Sequence, residues 1–166
     1  MSLTPFEICL NKSCAAVYAG LGVIYKEAHY QRALQIELSL QGYDVTTEQH
    51  APTMYIDSIV GARHNIYNDR TDMLVYNSKR KTRYLLELKH DNFPEKPDNV
   101  NQALRYYKNL EWINIIIDGV YIIGFPKTLG HTLKIKKIFI EKPFIKKYLN
   151  GSGNQDSDPS CEPTWI

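Results

Sequence analysis

Two carboxylates, Asp72 and Glu87, fall at mirror positions across one hairpin, and this restricts the fold of the chain more than any other feature. The sequence runs Tyr67-Asn-Asp-Arg-Thr-Asp-Met-Leu-Val-Tyr76, then Asn-Ser-Lys-Arg-Lys-Thr, then Arg83-Tyr-Leu-Leu-Glu-Leu-Lys89. Folding it about Lys79/Arg80 sets Tyr76 opposite Arg83, Leu74 opposite Leu85 and Asp72 opposite Glu87. Side chains alternate along strands, so these residues share one face, and Lys89 joins Glu87 there. Facing carboxylates repel, and a stable sheet avoids them unless a cation sits between. Leu85, Leu86 and Leu88 make both faces of the second strand at least half buried, which argues against a fully solvated pair.

The rest of the chain supplies helices to cover such a sheet. Tyr30, Leu34, Leu38 and Gln41 form one stripe of a helix near 24–41, flanked by Ala33, Glu37 and Leu40. Gly42 stops it, and Glu27 lies one turn up the same stripe. Short strands are expected near Asp44–Gln49 and Thr53–Ile59. Gly61 and the polar 61–69 stretch lead into the Asp72 strand. Pro94 and Pro97 mark a turn region, and a second helix starts near Asp98 or Asn99. Its stripe is Val100, Leu104, Tyr107 and Glu111, with Ala103 and Leu110 beside it. Gln102 and Tyr106, four apart, point together.

Residues 112–125 have two readings. Asp118-Gly119 forms a hairpin turn between apolar runs, or the helix continues to Asp118 and leaves Val120–Phe125 as a buried strand. The second completes an α/β sheet and is favoured. A last strand, His131–Ile140, has its alternation broken by Lys136-Lys137, the mark of a bulge or an edge. Helix, strands, helix, strand is the order of an α/β sandwich around a mixed sheet.

With 166 residues, the chain holds one domain with a real core. The expected domain is 1–149. From Asn150 the run Gly-Ser-Gly-Asn-Gln-Asp-Ser-Asp-Pro-Ser cannot bury enough apolar surface to order itself, so 150–166 reads as a flexible acidic tail ending in a small docking point, Trp165-Ile166. Net charge is only +2, so the chain as a whole is no polybasic binder. Positive charge is concentrated at Lys79, Arg80, Lys81 and Arg83, and again at Lys134, Lys136, Lys137, Lys142, Lys146 and Lys147. Cys9, Cys14 and Cys161 form neither an even disulfide framework nor a metal-ligand spacing, and this fits a reduced, intracellular setting in cytoplasm or nucleus. No signal peptide and no membrane-spanning run are expected. The five histidines show no ligand spacing, there is no nucleophile signature, and Gly20-Leu-Gly22 lacks the rest of a phosphate-binding loop.

The chemistry suggested by Glu27, Asp72, Glu87, Lys89 and Gln102 follows from charge. Hard oxygen ligands suit Mg²⁺ or Mn²⁺, whose acidified water can attack phosphorus. Lys89 can orient that water or neutralise developing charge, and Gln102 can hold Lys89, water or a phosphate oxygen. Each residue also has an ordinary reading. Glu87 and Lys89 can be a cross-strand ion pair, Glu27 a plain surface carboxylate, and Lys79–Arg83 a solvated turn. Arg70 can bind phosphate, or simply pair with Asp72 or Asp69.

Four segments together resemble the GxxExxY proteins of the PD-(D/E)xK nuclease superfamily. They are Glu27-Ala-His-Tyr30-Gln-Arg-Ala-Leu34, Arg70-Thr-Asp72-Met-Leu-Val75, Glu87-Leu-Lys89 and Asn101-Gln102-Ala-Leu-Arg-Tyr106. The likeness spans about 15–141 in the right order, with Gly124-Phe125 and 133–139 as closing strands. It implies a restriction-endonuclease-like, three-layer α/β/α sandwich. It also implies a metal set of Glu27, Asp72, Glu87 and Leu88, a catalytic Lys89 and a supporting Gln102. Ile24 stands where the family has glycine, Thr71 replaces the proline of the Pro-Asp pair, and His90 replaces a small residue. All five functional positions match.

The expectation is a Mg²⁺- or Mn²⁺-dependent nuclease acting on DNA, with RNA left open. Arg70, Lys79, Arg80, Lys81, Lys134, Lys136 and Lys137 would contact phosphates. The superfamily's habit of dimerising leaves a homodimer open, and its occurrence in large DNA viruses leaves a virion location open. The alternatives are a catalytically silent nucleic-acid-binding or virion structural protein on the same fold, and an interaction module recruited through the tail.

Overall fold

A computed structural model describes residues 2–140. The expected 150–166 tail and Lys142, Lys146 and Lys147 lie outside the described residues. Helix α1 (Pro5–Leu21) and helix α2 (Glu27–Leu40) precede strands β1 (Asp44–Ile56), β2 (Arg63–Asn77) and β3 (Thr82–His90). Helix α3 (Pro97–Trp112) then leads to β4 (Gly119–Phe125) and β5 (Lys134–Ile138). The sheet runs in chain order, β1 to β5. All its neighbours are antiparallel except β3 and β4, which α3 connects in parallel.

The expected three layers are present. On one face α1 and α2 bring Phe6, Leu10, Cys14, Val17, Tyr30, Leu34 and Leu38 against Met73, Val75, Leu86, Leu88, Tyr121 and Ile123. On the other, α3 brings Ala103, Tyr106, Tyr107 and Leu110 against Leu74, Leu85, Val120 and Ile122. Burying a side chain of this size contributes about 1.5–3 kcal/mol. Strand β4 is buried along its whole length, between the central strand β3 and the edge strand β5.

Several sequence expectations are corrected. Helix α1 was not anticipated, although its start carries a complete capping box: Thr4 Oγ1 accepts from Glu7 N (3.2 Å), and Glu7 Oε2 from Thr4 N (2.7 Å). The two short strands are one strand, β1, with a register shift at Thr53/Met54. Pro52 is tolerated there because β1 is an edge strand. Helix α3 stops at Trp112, not Asp118. Asn114 takes a left-handed φ of 61°, and three β-branched isoleucines follow. Its buried face is Ala103, Tyr106, Tyr107 and Leu110, so the expected stripe is rotated and Leu104 is exposed. The Asp118-Gly119 hairpin is excluded, since β4 pairs parallel to β3. Strand β5 is an edge strand, with continuous pairing and no bulge.

Gly124 fixes how the β3–α3 connection seats on the sheet. A Cβ there would lie 2.2 Å from Pro94 Cγ and 2.6 Å from Pro94 Cβ. Gly124 is paired with Lys89, so the pressure falls at the end of β3 that carries Lys89. Gly124→Ala is expected to destabilise the protein by about 1–3 kcal/mol through overpacking. A denaturant midpoint equal to that of wild type would show that the Pro94 loop yields freely.

Candidate active site

The hairpin register matches the sequence expectation over its paired part: Met73 faces Leu86, Leu74 faces Leu85, and Tyr76 faces Arg83. Beyond Met73 the ladder stops, and the strands part where Asp72 and Glu87 would face each other. The Asp72 side chain fills this opening, its Oδ2 accepting from Leu88 N at 2.7 Å. Facing acids are thus accommodated by opening the sheet and giving one of them a main-chain donor.

Glu87 is fully buried, and its Oε1 accepts from Lys89 Nζ at 2.6 Å. Its Oε2 is buried with no hydrogen-bond partner among the described residues. Burial raises the proton affinity of Glu87 well above the usual carboxylate range, and the charges of Asp72 and Glu27 add to the rise. Burial likewise raises Asp72, with Glu27 and Glu48 adding to it, against the lowering effect of the Leu88 N–H and Lys89. For Lys89, burial is the largest influence and pulls the ammonium down, but Glu87, Asp72 and Glu27 together outweigh it and the net direction is up. One ammonium is thus shared among three acids, and the site is short of positive charge.

Glu27 arrives from the first turn of α2, and its Oε2 accepts from His90 N at 2.9 Å. The His90 ring lies 3.2 Å from the Val23 carbonyl oxygen and 5.1 Å from the Tyr30 ring, so His90 ties the α1–α2 connection to the end of β3. Gln102 donates to the Tyr106 hydroxyl at 2.8 Å, as its spacing suggested, and this is the contact the structure gives it. The Leu88 side chain is completely buried and its N–H is taken by Asp72, which leaves only its main-chain carbonyl as a candidate ligand. No three His, Cys, Asp or Glu side chains converge into a ready metal-binding group among the described residues. The donors on hand are carboxylate oxygens, including the orphaned Glu87 Oε2. That set fits a hard divalent cation that keeps several of its waters.

Gln31 and Glu48 were missed in the sequence. Gln31 Nε2 donates to the Asp72 carbonyl oxygen at 2.6 Å and lies 3.4 Å from Glu48 Oε1. Glu48 sits at φ 55°, between the β1 residues that pair with Met73 and Thr71, and so beside Asp72. Gln31 follows the Tyr30 stripe by one position, off its buried face, so no spacing pointed to it.

The expected phosphate contacts are dispersed. Lys79, Arg80 and Lys81 occupy the β2–β3 turn, five strand residues past Asp72, which places them ~17 Å or more away. Asn77 Oδ1 caps that turn through Lys79 N and Arg80 N. Lys134 and Lys136 lie level with Lys89 and Glu87 across β4, with Lys134 paired to Glu95 at 3.0 Å. Lys137 points to the opposite face and binds Glu7 at 2.8 Å. Arg70 is exposed and pairs with neither Asp72 nor Asp69; Arg105 takes Asp69 at 3.3 Å.

Residues 7–135 match the family model described as the PD-(D/E)XK nuclease superfamily. Comparison with curated proteins gave no match.

Proposed function

The chain belongs to the PD-(D/E)XK nuclease superfamily, and from that premise we propose that it hydrolyses DNA phosphodiester bonds with a divalent metal ion, as a member of the GxxExxY branch. The superfamily generally uses divalent metals and implies a nucleic-acid substrate. No helix among the described residues is long and apolar enough to cross a membrane. The observation that carries the proposal is the buried, unpartnered Glu87 Oε2 beside Asp72, with Lys89 held at 2.6 Å on the other Glu87 oxygen.

Asp72 and Glu87 would hold Mg²⁺ or Mn²⁺, with Glu27 and the Leu88 main chain at its margin. The ion, when bound, would supply Lewis acidity and an acidified water. Lys89 has three ammonium protons and spends one on Glu87. The others are directed to the attacking water or to a phosphoryl oxygen that gains charge. Glu87 fixes the position and the charged state of Lys89. Gln31 fixes the Asp72 main chain through its 2.6 Å bond. Gln102, held by Tyr106, supports the α3 side.

Incubation of the full chain with linear and with circular DNA, in Mg²⁺, Mn²⁺ or chelator, tests this. Cleavage is expected in metal alone, and the difference between the two DNAs separates end-dependent from internal cutting. Binding of DNA without cleavage in either metal, and without metal uptake by calorimetry, would instead establish a silent binding protein on this fold.

A further inference from the structure

Strand β3 covers only part of the β1–β2 pair. Its pairing with β2 ends at Met73, whereas β1 and β2 stay paired out to Ile56 and Arg63. A two-stranded ribbon therefore runs on for seven residues beyond Gln49, ~23 Å, past the Asp72 end of the hairpin. Its root rests on α3, where Asn109 Nδ2 donates to the Ala51 carbonyl oxygen and to Thr53 Oγ1, both at 3.0 Å. Its outer part is exposed and unusually apolar. Tyr55 is 52% exposed, Tyr67 67%, Ile59 91% and Val60 78%.

The tip is a built turn. Asp57 accepts from Ile59 N (3.0 Å), Val60 N (2.8 Å) and Ala62 N (3.1 Å), and it meets His64 Nε2 at 2.9 Å. Ile59 and Val60 are thus held outward by backbone bonds. The same contacts hold the Asp57 carboxyl below its ordinary range, so the tip keeps one ionised acid, bound up in the turn. Asp57 is spent on the turn, and Asp69 on Arg105 and Thr53. Arg70 is left exposed without an ion-pair partner among the described residues, on the strand that carries Asp72 two positions on.

We propose that this ribbon enters a groove of duplex DNA, with Ile59 and Val60 against the bases and Arg70 on the phosphate backbone next to the cut. The proposal rests on the nuclease reading above. A two-stranded ribbon has the width that the major groove admits. Apolar side chains at its tip can contact the thymine methyl groups exposed in that groove. Arg63, nearer the tip, lies over the Trp112 ring, while Arg70 stands where the ribbon meets the carboxylates, so a duplex seated on it reaches the site. Tyr67 and Arg105, with Thr53 and Asp69, line the cleft between ribbon and α3.

The test is anisotropy with a labelled duplex of about 20 base pairs and with the matching single strand, beside cleavage kinetics in Mg²⁺. The proteins are wild type, the double variant Ile59→Ser/Val60→Ser, and Arg70→Ala, all at exposed positions. Each variant is expected to weaken duplex binding about tenfold and to raise KM with kcat largely kept. Wild-type cleavage with unchanged duplex affinity in both variants would overturn the ribbon proposal and leave the nuclease reading intact. So would tighter binding of the single strand than of the duplex, or a tip variant that alters only self-association by sedimentation. Wild type that neither binds nor cuts DNA would remove both.

Discussion

Replacing Lys89 by alanine is expected to lower kcat by about 10²–10³-fold, the loss that follows removal of one oriented donor, while DNA affinity falls no more than about threefold. Lys89 is buried to all but 16% of its side chain and is held by Glu87. It would meet a substrate only at the end of β3, among the carboxylates, and so would add little to the phosphate contacts that set affinity. Its loss leaves Glu87 buried without a cation, a change that costs about 3–5 kcal/mol when the acid stays charged. Proton uptake lowers that cost, because Glu87 already binds its proton tightly. The variant is therefore expected to fold, with activity falling far more than stability. Lys89→Arg should not restore the rate, since the planar guanidinium cannot replace a compact ammonium in a closed site. Single-turnover cleavage beside duplex anisotropy measures both quantities. Equal losses in rate and affinity would make Lys89 a binding residue, and an unchanged rate would remove it from the chemistry.

The hairpin that places Lys89 was legible because two constraints agree there. Alternation sets the faces, and the polar Asn77–Thr82 turn sets the register, so a slip would bury the wrong side chains. The opening of the ladder past Met73 was not legible, since it arises from the repulsion of the two acids and the donation of Leu88 N–H to Asp72. Helix α1 was readable in principle. Thr4, Pro5 and Glu7 spell its start, and Phe6, Leu10, Cys14 and Val17 its buried stripe. The end of α3 was not, because Ile115–Ile117 suit a buried helix by hydropathy, and the αL turn at Asn114 that excludes it has no glycine as its sequence signature here. At the site, the spacing rules place Asp72, Glu87 and Lys89 on one face, but no periodicity points to Gln31 or Glu48. Their approach to Asp72 depends on how α2 crosses β1.

Glu87→Gln is expected to abolish metal-dependent cleavage and yet make the metal-free protein more stable at pH 8. The sign follows from proton linkage. Glu87 in the folded protein holds its proton more tightly than its usual value of 4.5. Between that value and the higher folded one, the native state carries more protons than the unfolded state, so stability falls as pH rises. Asp72 acts in the same direction, from 3.8 upward. At pH 8 the wild type bears the cost of a fully buried carboxylate with one oxygen unpaired. An unsatisfied buried group costs about 1–3 kcal/mol. Glutamine keeps an oxygen for Lys89 Nζ and removes the charge, so the melting temperature in chelator should rise by roughly 3–10 °C at this chain size. The gain should shrink as pH falls toward 5, where the wild-type carboxyl is itself neutral. Added Mg²⁺ or Mn²⁺ should reverse the order, stabilising wild type by mass action and leaving the glutamine variant nearly unmoved. Loss of the Lys89 ion pair opposes the gain, but that ammonium keeps Asp72 and Glu27 as counter-charges. A glutamine variant that melts below wild type in chelator at pH 8 would mean that the ion pair outweighs burial. Glu87 would then be a structural partner of Lys89, with no carboxylate held in readiness for a cation.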